Sequence, residues 1–250
     1  MLALITLMSI EVRSADLVPY YENLSIDIEL NPGAEDPTDH LGGTGLLIRK
    51  SKTPDTLYFL TAKHTITGFD QFVEDVDTAI VSMSIFRPER IELLRTRWKK
   101  VKSIARFRYS ELDQCIVAIP VDRLLNAQVA ERQQVINISV PLSTLVLGRS
   151  PALRLGTEVY WFGSPISLSI RPEMPGMLLR SGRVSGLFPN RPRAVLDIRA
   201  YPGDSGSPII MVNKNGEHKI IGILVETTLV NMQYYSALTI MEYIDSELFR

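Results

Sequence analysis

Short apolar runs closed off by Gly, Pro, Asn or Asp recur along the whole chain, and they restrict the fold more than any other feature of the sequence. Residues 24–30, LSIDIEL, alternate apolar and polar, the period-two signature of a strand with one buried face. The loop NPGAEDPTDHLGG follows, and then TGLLIRK and TLYFL, two runs parted by SKTPD at hairpin spacing. Further runs lie at 79–86, 102–107, 115–120, 158–162, 177–184, 194–198, 208–212, 219–225 and 234–238. This number of turn-bounded strands predicts an all-β chain built as barrels or a sandwich. Helical pattern is confined to two places. Residues 122–135 read as a connector between two lobes, ahead of the proline-bearing SVPLSTLVLGRSPALRLG. In residues 239–249, Thr239 and Glu242 form a T-x-x-E capping box, and Ile240, Tyr243, Ile244 and Leu248 form one apolar stripe.

Composition removes several classes of function. With 27 Lys and Arg against 28 Asp and Glu, no net field attracts nucleic acid or an anionic membrane. The single cysteine, Cys115, excludes an internal disulfide, so stability must come from packing. The start, MLALITLMSIEVRSADL, carries an apolar run too short to span a bilayer and lacks a basic segment before it. It is expected to be a docked terminal segment, with the cytoplasm favoured over export. The three histidines stand far apart without paired-ligand spacing, so neither a metal nor a cofactor is expected.

The stretch YPGDSGSPII, residues 201–210, sets a serine between two glycines after Asp204. A serine hydroxyl is a poor nucleophile at neutral pH unless a base takes its proton as it attacks. His64, in YFLTAKHTI, ends an apolar run at the mouth of a lobe, whereas His40 lies in a Pro/Asp loop and His218 near an exposed hairpin tip. His64 is the best base. An imidazole used this way needs a carboxylate to hold its tautomer. Asp113 opens the apolar run of SELDQCIVAIPV; Asp70, Asp75 and Asp77 cluster in a charged loop and read as solvated surface. The amides of Gly203 and Ser205 are the candidate oxyanion donors, with Pro202 fixing the approach.

The blocks TAKH at 61–64, LDQCIVAI at 112–119 and GDSGSP at 203–208 resemble the three signature blocks of chymotrypsin-like (trypsin-like) serine peptidases, in the same order His, Asp, Ser. GGTGLLI and IIGIL resemble the strands before the histidine and after the nucleophile. The resemblance spans nearly the whole chain and is nearest to bacterial trypsin-like and HtrA-type domains, here without a PDZ module. It implies two six-stranded antiparallel β-barrels with the active site between them. On that plan 1–20 is an N-terminal segment, 21–121 the barrel carrying His64 and Asp113, 122–150 the connector, 151–238 the barrel carrying Ser205, and 239–250 a short C-terminal helix. The implied activity is that of a serine endopeptidase acting on protein or peptide substrates; the rival is a catalytically inactive binding or regulatory module on the same fold. The implied specificity pocket draws on Arg199, Ala200, Tyr201, Val225, Glu226 and Thr227. No IVGG-like segment is present to supply a new N-terminus for Asp204, so Asp204 must find another partner.

Overall fold

The computed structural model of the chain describes residues 26–30, 42–72, 80–85, 91–123, 129–163, 178–198, 200–231 and 236–250. The first half is a sheet of eight strands: β1 (Ile26–Leu30), β2 (Thr44–Arg49), β3 (Thr56–Ala62), β4 (Ile80–Ile85), β5 (Ile91–Arg97), β6 (Arg106–Tyr109), β7 (Gln114–Pro120) and β8 (Val140–Pro141). They run in the order β5-β4-β1-β2-β3-β7-β6, with β8 paired to β2. The second half is a closed barrel of β9 (Glu158–Gly163), β10 (Leu178–Leu187), β11 (Arg193–Asp197), β12 (Pro208–Val212), β13 (His218–Asn231) and β14 (Ser236–Tyr243).

Alternation along three strands assigns each side chain to one of two cores. Leu47, Leu57, Phe59, Cys115, Val117 and Ile119 point into the core of the first sheet. Their neighbours Leu46, Ile48, Leu60 and Ile116 point the other way and pack on Ile210, Ile220, Ile223 and Ile244 of the barrel. Sheet and barrel are therefore joined by a continuous apolar layer. Trp161, Leu196, Ile209, Leu224, Met241 and Tyr243 fill the barrel itself.

Two expectations are revised. The six-stranded barrel expected for the first lobe is not confirmed: among the described residues it is a sheet whose edge strands β5 and β6 are not paired with each other. The helix Trp98–Ile104 stands between them, with Trp98 and Val101 buried and the ring of Trp98 edge-on to Phe107 of β6 at 5.7 Å. Its WKKVKSI sequence places the two apolar residues three apart and the lysines outside, so a helix closes the core there in place of a ladder. It also takes the first part of the strand expected at 102–107. The C-terminal helix is replaced by the barrel strand β14 and a 3-10 turn, Ser246–Phe249. Residues 239–242 pair with β11 on one side and β13 on the other. Met241 and Tyr243 face the barrel interior while Ile240 and Ile244 face the layer shared with the first sheet. Burial on both faces removes the alternation that marks a strand. The apparent capping pair, Thr239 and Glu242, serves tertiary contacts instead: Thr239 donates to the carbonyl of Ile198, and Glu242 meets Arg193.

Candidate active site

β3 ends at Ala62 and the chain turns at once into the helix Lys63–Phe72, so His64 stands in its first turn. That helix was not foreseen from the sequence. The β3–β7 ladder ends on the pair Ala62 and Gln114, which brings Asp113 level with the helix start. Lys63 N then donates to Asp113 O (3.1 Å), and His64 N donates to Asp113 Oδ1 (2.9 Å). His64 Nδ1 lies 2.5 Å from Asp113 Oδ2, so the carboxylate uses both oxygens on one residue. Burial pushes the Asp113 carboxyl up. The hydrogen bond and charge of His64, its amide, and the charge of Lys63 together outweigh that cost and hold it below the ordinary carboxylate value.

Ser205 sits in a loop whose flanking glycines, Gly203 and Gly206, have φ of 96° and 88°. The amides of Asp204, Gly206 and Ser207 donate to the carbonyls of Tyr201, Leu224 and Asp204. Among the described residues, those of Gly203 and Ser205 donate to no backbone carbonyl. The loop is anchored on the first sheet: Thr44 N donates to Ser205 O (2.8 Å), Thr44 Oγ1 to Gly203 O (2.9 Å) and Thr61 Oγ1 to Thr44 O (2.8 Å). A Cβ at Gly206 would fall 2.0 Å from Thr44 O and 2.4 Å from Thr61 Oγ1, so only glycine permits this approach. A Cβ at Gly43 would fall 2.4 Å from Thr65 Cγ2 and 3.3 Å from Ser205 O. One glycine therefore separates the Ser205 loop from the residue after His64. Among the described residues no hydrogen bond joins Ser205 Oγ to His64.

Over residues 43–223 the sequence matches the trypsin-like peptidase domain. The chain belongs to that family. A comparison with curated proteins found no match. Membership supports a protease as the general class, one that acts on protein substrates. No helix among the described residues is long and apolar enough to cross a membrane.

In this peptidase domain Asp204 is fully buried beneath the Ser205 loop, and its partner is Arg180 of β10. Arg180 donates to Asp204 Oδ2, which also accepts from Tyr201 N (2.8 Å). The guanidinium lies over the rings of Tyr201 (4.9 Å) and Trp161 (5.9 Å), stacked between aromatic faces as well as paired. Burial pushes the Asp204 carboxyl up. The Arg180 charge and the two hydrogen bonds pull it back only in part, and it stays above the ordinary value. Gly163 makes room for the carboxylate, since a Cβ there would meet Asp204 Oδ1 at 2.1 Å. Arg180 went unnoticed in the sequence, where it reads as one of two arginines in MLLRSGRVSG.

The residues of the implied specificity pocket are only partly described. Ala200 and Val225 are buried, and Tyr201 is exposed. Glu226 and Thr227 lie on β13 opposite Ile240 and Thr239, while their side chains, and Arg199 altogether, fall outside the described residues. His40, Asp75 and Asp77 also fall outside; Asp70 lies in the His64 helix, and His218 starts β13 beside a hairpin turn. Cys115 is buried in the first core, and burial pushes its thiol up to about 12, which leaves it inert.

Proposed function

We propose that the chain is a serine endopeptidase in which Ser205 is the nucleophile, His64 the general base and Asp113 the acid that orients it. With Nδ1 bonded to Asp113 Oδ2, the imidazole is fixed in the tautomer that leaves Nε2 free to accept a proton. Ser205 Oγ attacks the scissile carbonyl carbon as His64 Nε2 takes the hydroxyl proton, and the carbonyl π pair moves onto oxygen. The amides of Gly203 and Ser205 donate to that oxyanion. Collapse breaks the C–N bond, His64 returns its proton to the leaving amine, and an acyl-enzyme remains. Water repeats the sequence with His64 again as base, releasing the acid and restoring Ser205.

The observation that carries this reading is the two-point bond between His64 and Asp113, made beside a serine loop whose two oxyanion-candidate amides have no backbone partner among the described residues. The absence of a Ser205–His64 hydrogen bond is compatible with it, because such bonds are often loose before substrate arrives. Labelling with a fluorophosphonate probe tests the proposal, with the adduct located by mass spectrometry. A single adduct on Ser205, lost in Ser205→Ala and in His64→Ala, is expected. A folded wild-type chain that takes no label is instead a binding or regulatory module on the same fold.

A further inference from the structure

Glu242 lies on β14 with no exposed surface, in the barrel opposite the sheet that carries His64 and Asp113. A carboxylate so placed is costly unless its oxygens are met by donors. Arg193, its cross-strand partner on β11, provides for one of them: Nε and Nη2 lie 2.8 and 2.7 Å from Oε1. The other oxygen leaves the barrel. Oε2 accepts the backbone N–H of Asp113 at 2.8 Å, across 129 residues of sequence. An ion pair that served only the barrel would have no need of that contact.

We propose that Glu242 is a positioning residue for the His64–Asp113 pair, setting where the Asp113 carboxylate stands by holding its amide from the opposite lobe. The proposal rests on the reading of His64 and Asp113 as base and orienting acid. The turn before β7 is also fixed at its flanks, where Ser110 Oγ donates to Asp245 Oδ2 and Gln114 Nε2 to Tyr243 O (2.7 Å). Leu112 N is satisfied within the turn by Ser110 Oγ (3.0 Å). Lys63 N and His64 N bond Asp113 from the His64 side; Glu242 takes the Asp113 N–H from the opposite lobe. Without it the Asp113 N–H loses its partner and the backbone of Asp113 is held from one side only, by the Lys63 bond to Asp113 O, so it can tilt and shift Oδ2 relative to Nδ1.

The discriminating variants are Glu242→Gln and the pair Glu242→Gln with Arg193→Met. Gln offers a single carbonyl oxygen to two donors, and the charged Arg193 takes it, leaving the Asp113 amide facing an NH₂ group. Removing Arg193 as well returns that oxygen to Asp113 and takes out the buried carboxylate and its counter-charge together. Glu242→Gln is expected to lower kcat by about 10- to 100-fold with KM within about two-fold, since misplacement of the base by a fraction of an ångström acts on the chemical step. The far-downfield proton resonance of His64 Nδ1–H, the signature of its short bond to Asp113, should move upfield in that variant. In the double variant kcat should recover to within about ten-fold of the parent, with the resonance restored. A folded Glu242→Gln with parental kcat and an unmoved resonance overturns the proposal, as does a double variant no better than the single. If Glu242→Gln fails to fold, the double variant decides by its resonance; if neither folds, Glu242 serves barrel stability alone and the proposal fails. A parent chain that takes no fluorophosphonate label sinks the peptidase reading separately, and the resonance still reports whether Glu242 sets the His64–Asp113 contact.

Discussion

Arg180 and Asp204 form an ion pair under the Ser205 loop, with the carboxylate fully buried and the guanidinium over the Tyr201 ring. The loop is thereby held by a cation from within the barrel. Removing the cation strands a buried charge, so Arg180→Met should destabilise the fold by about 3–5 kcal/mol and abolish fluorophosphonate labelling. Arg180→Met with Asp204→Asn should regain most of that stability, because both charges leave together. Urea unfolding of the three proteins, followed by labelling, checks this; equal stability of Arg180→Met and parent would refute it.

Asp113 and Asp204 should pull the acid stability curve in opposite senses. Asp113 has its carboxyl held below the ordinary 3.8, so it contributes stability that is present above that value and lost as pH falls through its lower folded one. Asp204 is held above 3.8, so its contribution is present below that value and lost as pH rises through its higher folded one. Asp113→Asn should flatten the fall in stability on acidification, and Asp204→Asn should steepen it. Unfolding free energies measured across pH 2 to about 6 decide, and a parallel shift of either curve without a change of slope would contradict the assignment. Turnover of Asp113→Asn should drop by about 10⁴-fold, because the amide favours the wrong imidazole tautomer.

Gly206→Ala introduces both a forbidden φ and a clash with the Thr44 carbonyl, and it should cost about 3 kcal/mol or more together with the labelling reaction. Gly216 is the control. Its φ of 77° is equally left-handed, but a Cβ there meets nothing within 4 Å. Gly216→Ala should therefore cost only about 1–2 kcal/mol and keep full labelling. Comparable losses in both variants would show that the φ angle, not the contact with Thr44, governs the Ser205 loop.

Short apolar runs were legible in the sequence: those expected at 115–120, 158–162 and 208–212 fall on β7, β9 and β12, the last with the same bounds and the others one residue longer. β14 was legible only at its start, where the run expected at 234–238 meets it; its second part, 239–243, feeds two cores and is buried in both directions, so it read as a helix. The helices at 63–72 and 98–104 were hidden for another reason. KHTITGFDQF holds β-branched residues and a glycine, and WKKVKSI is under two turns long, so neither shows a sustained helical period. Around the candidate site, His64 and Asp113 could be paired from sequence because each ends or opens an apolar run. Arg180 and Glu242 could not. Their partners lie 24 and 129 residues away, and a buried charge in a strand looks like an exposed one until its neighbours are known.

Gln114 is wholly buried, and its side-chain amide spans the carbonyl of Tyr243 and the N–H of Asp245 (3.1 Å). It ties the turn that bears Asp113 to a segment made about 130 residues later during synthesis. Such long-range closure is entropically slow, so it belongs to the late stages of folding. A ribosome-bound chain that already displays His64, Asp113 and even Ser205 still lacks the segment that locks the Asp113 turn. In the proposed peptidase the alignment of His64 and Asp113 thus waits for residues 243–245, and a nascent chain stalled before Tyr243 carries both groups without that lock.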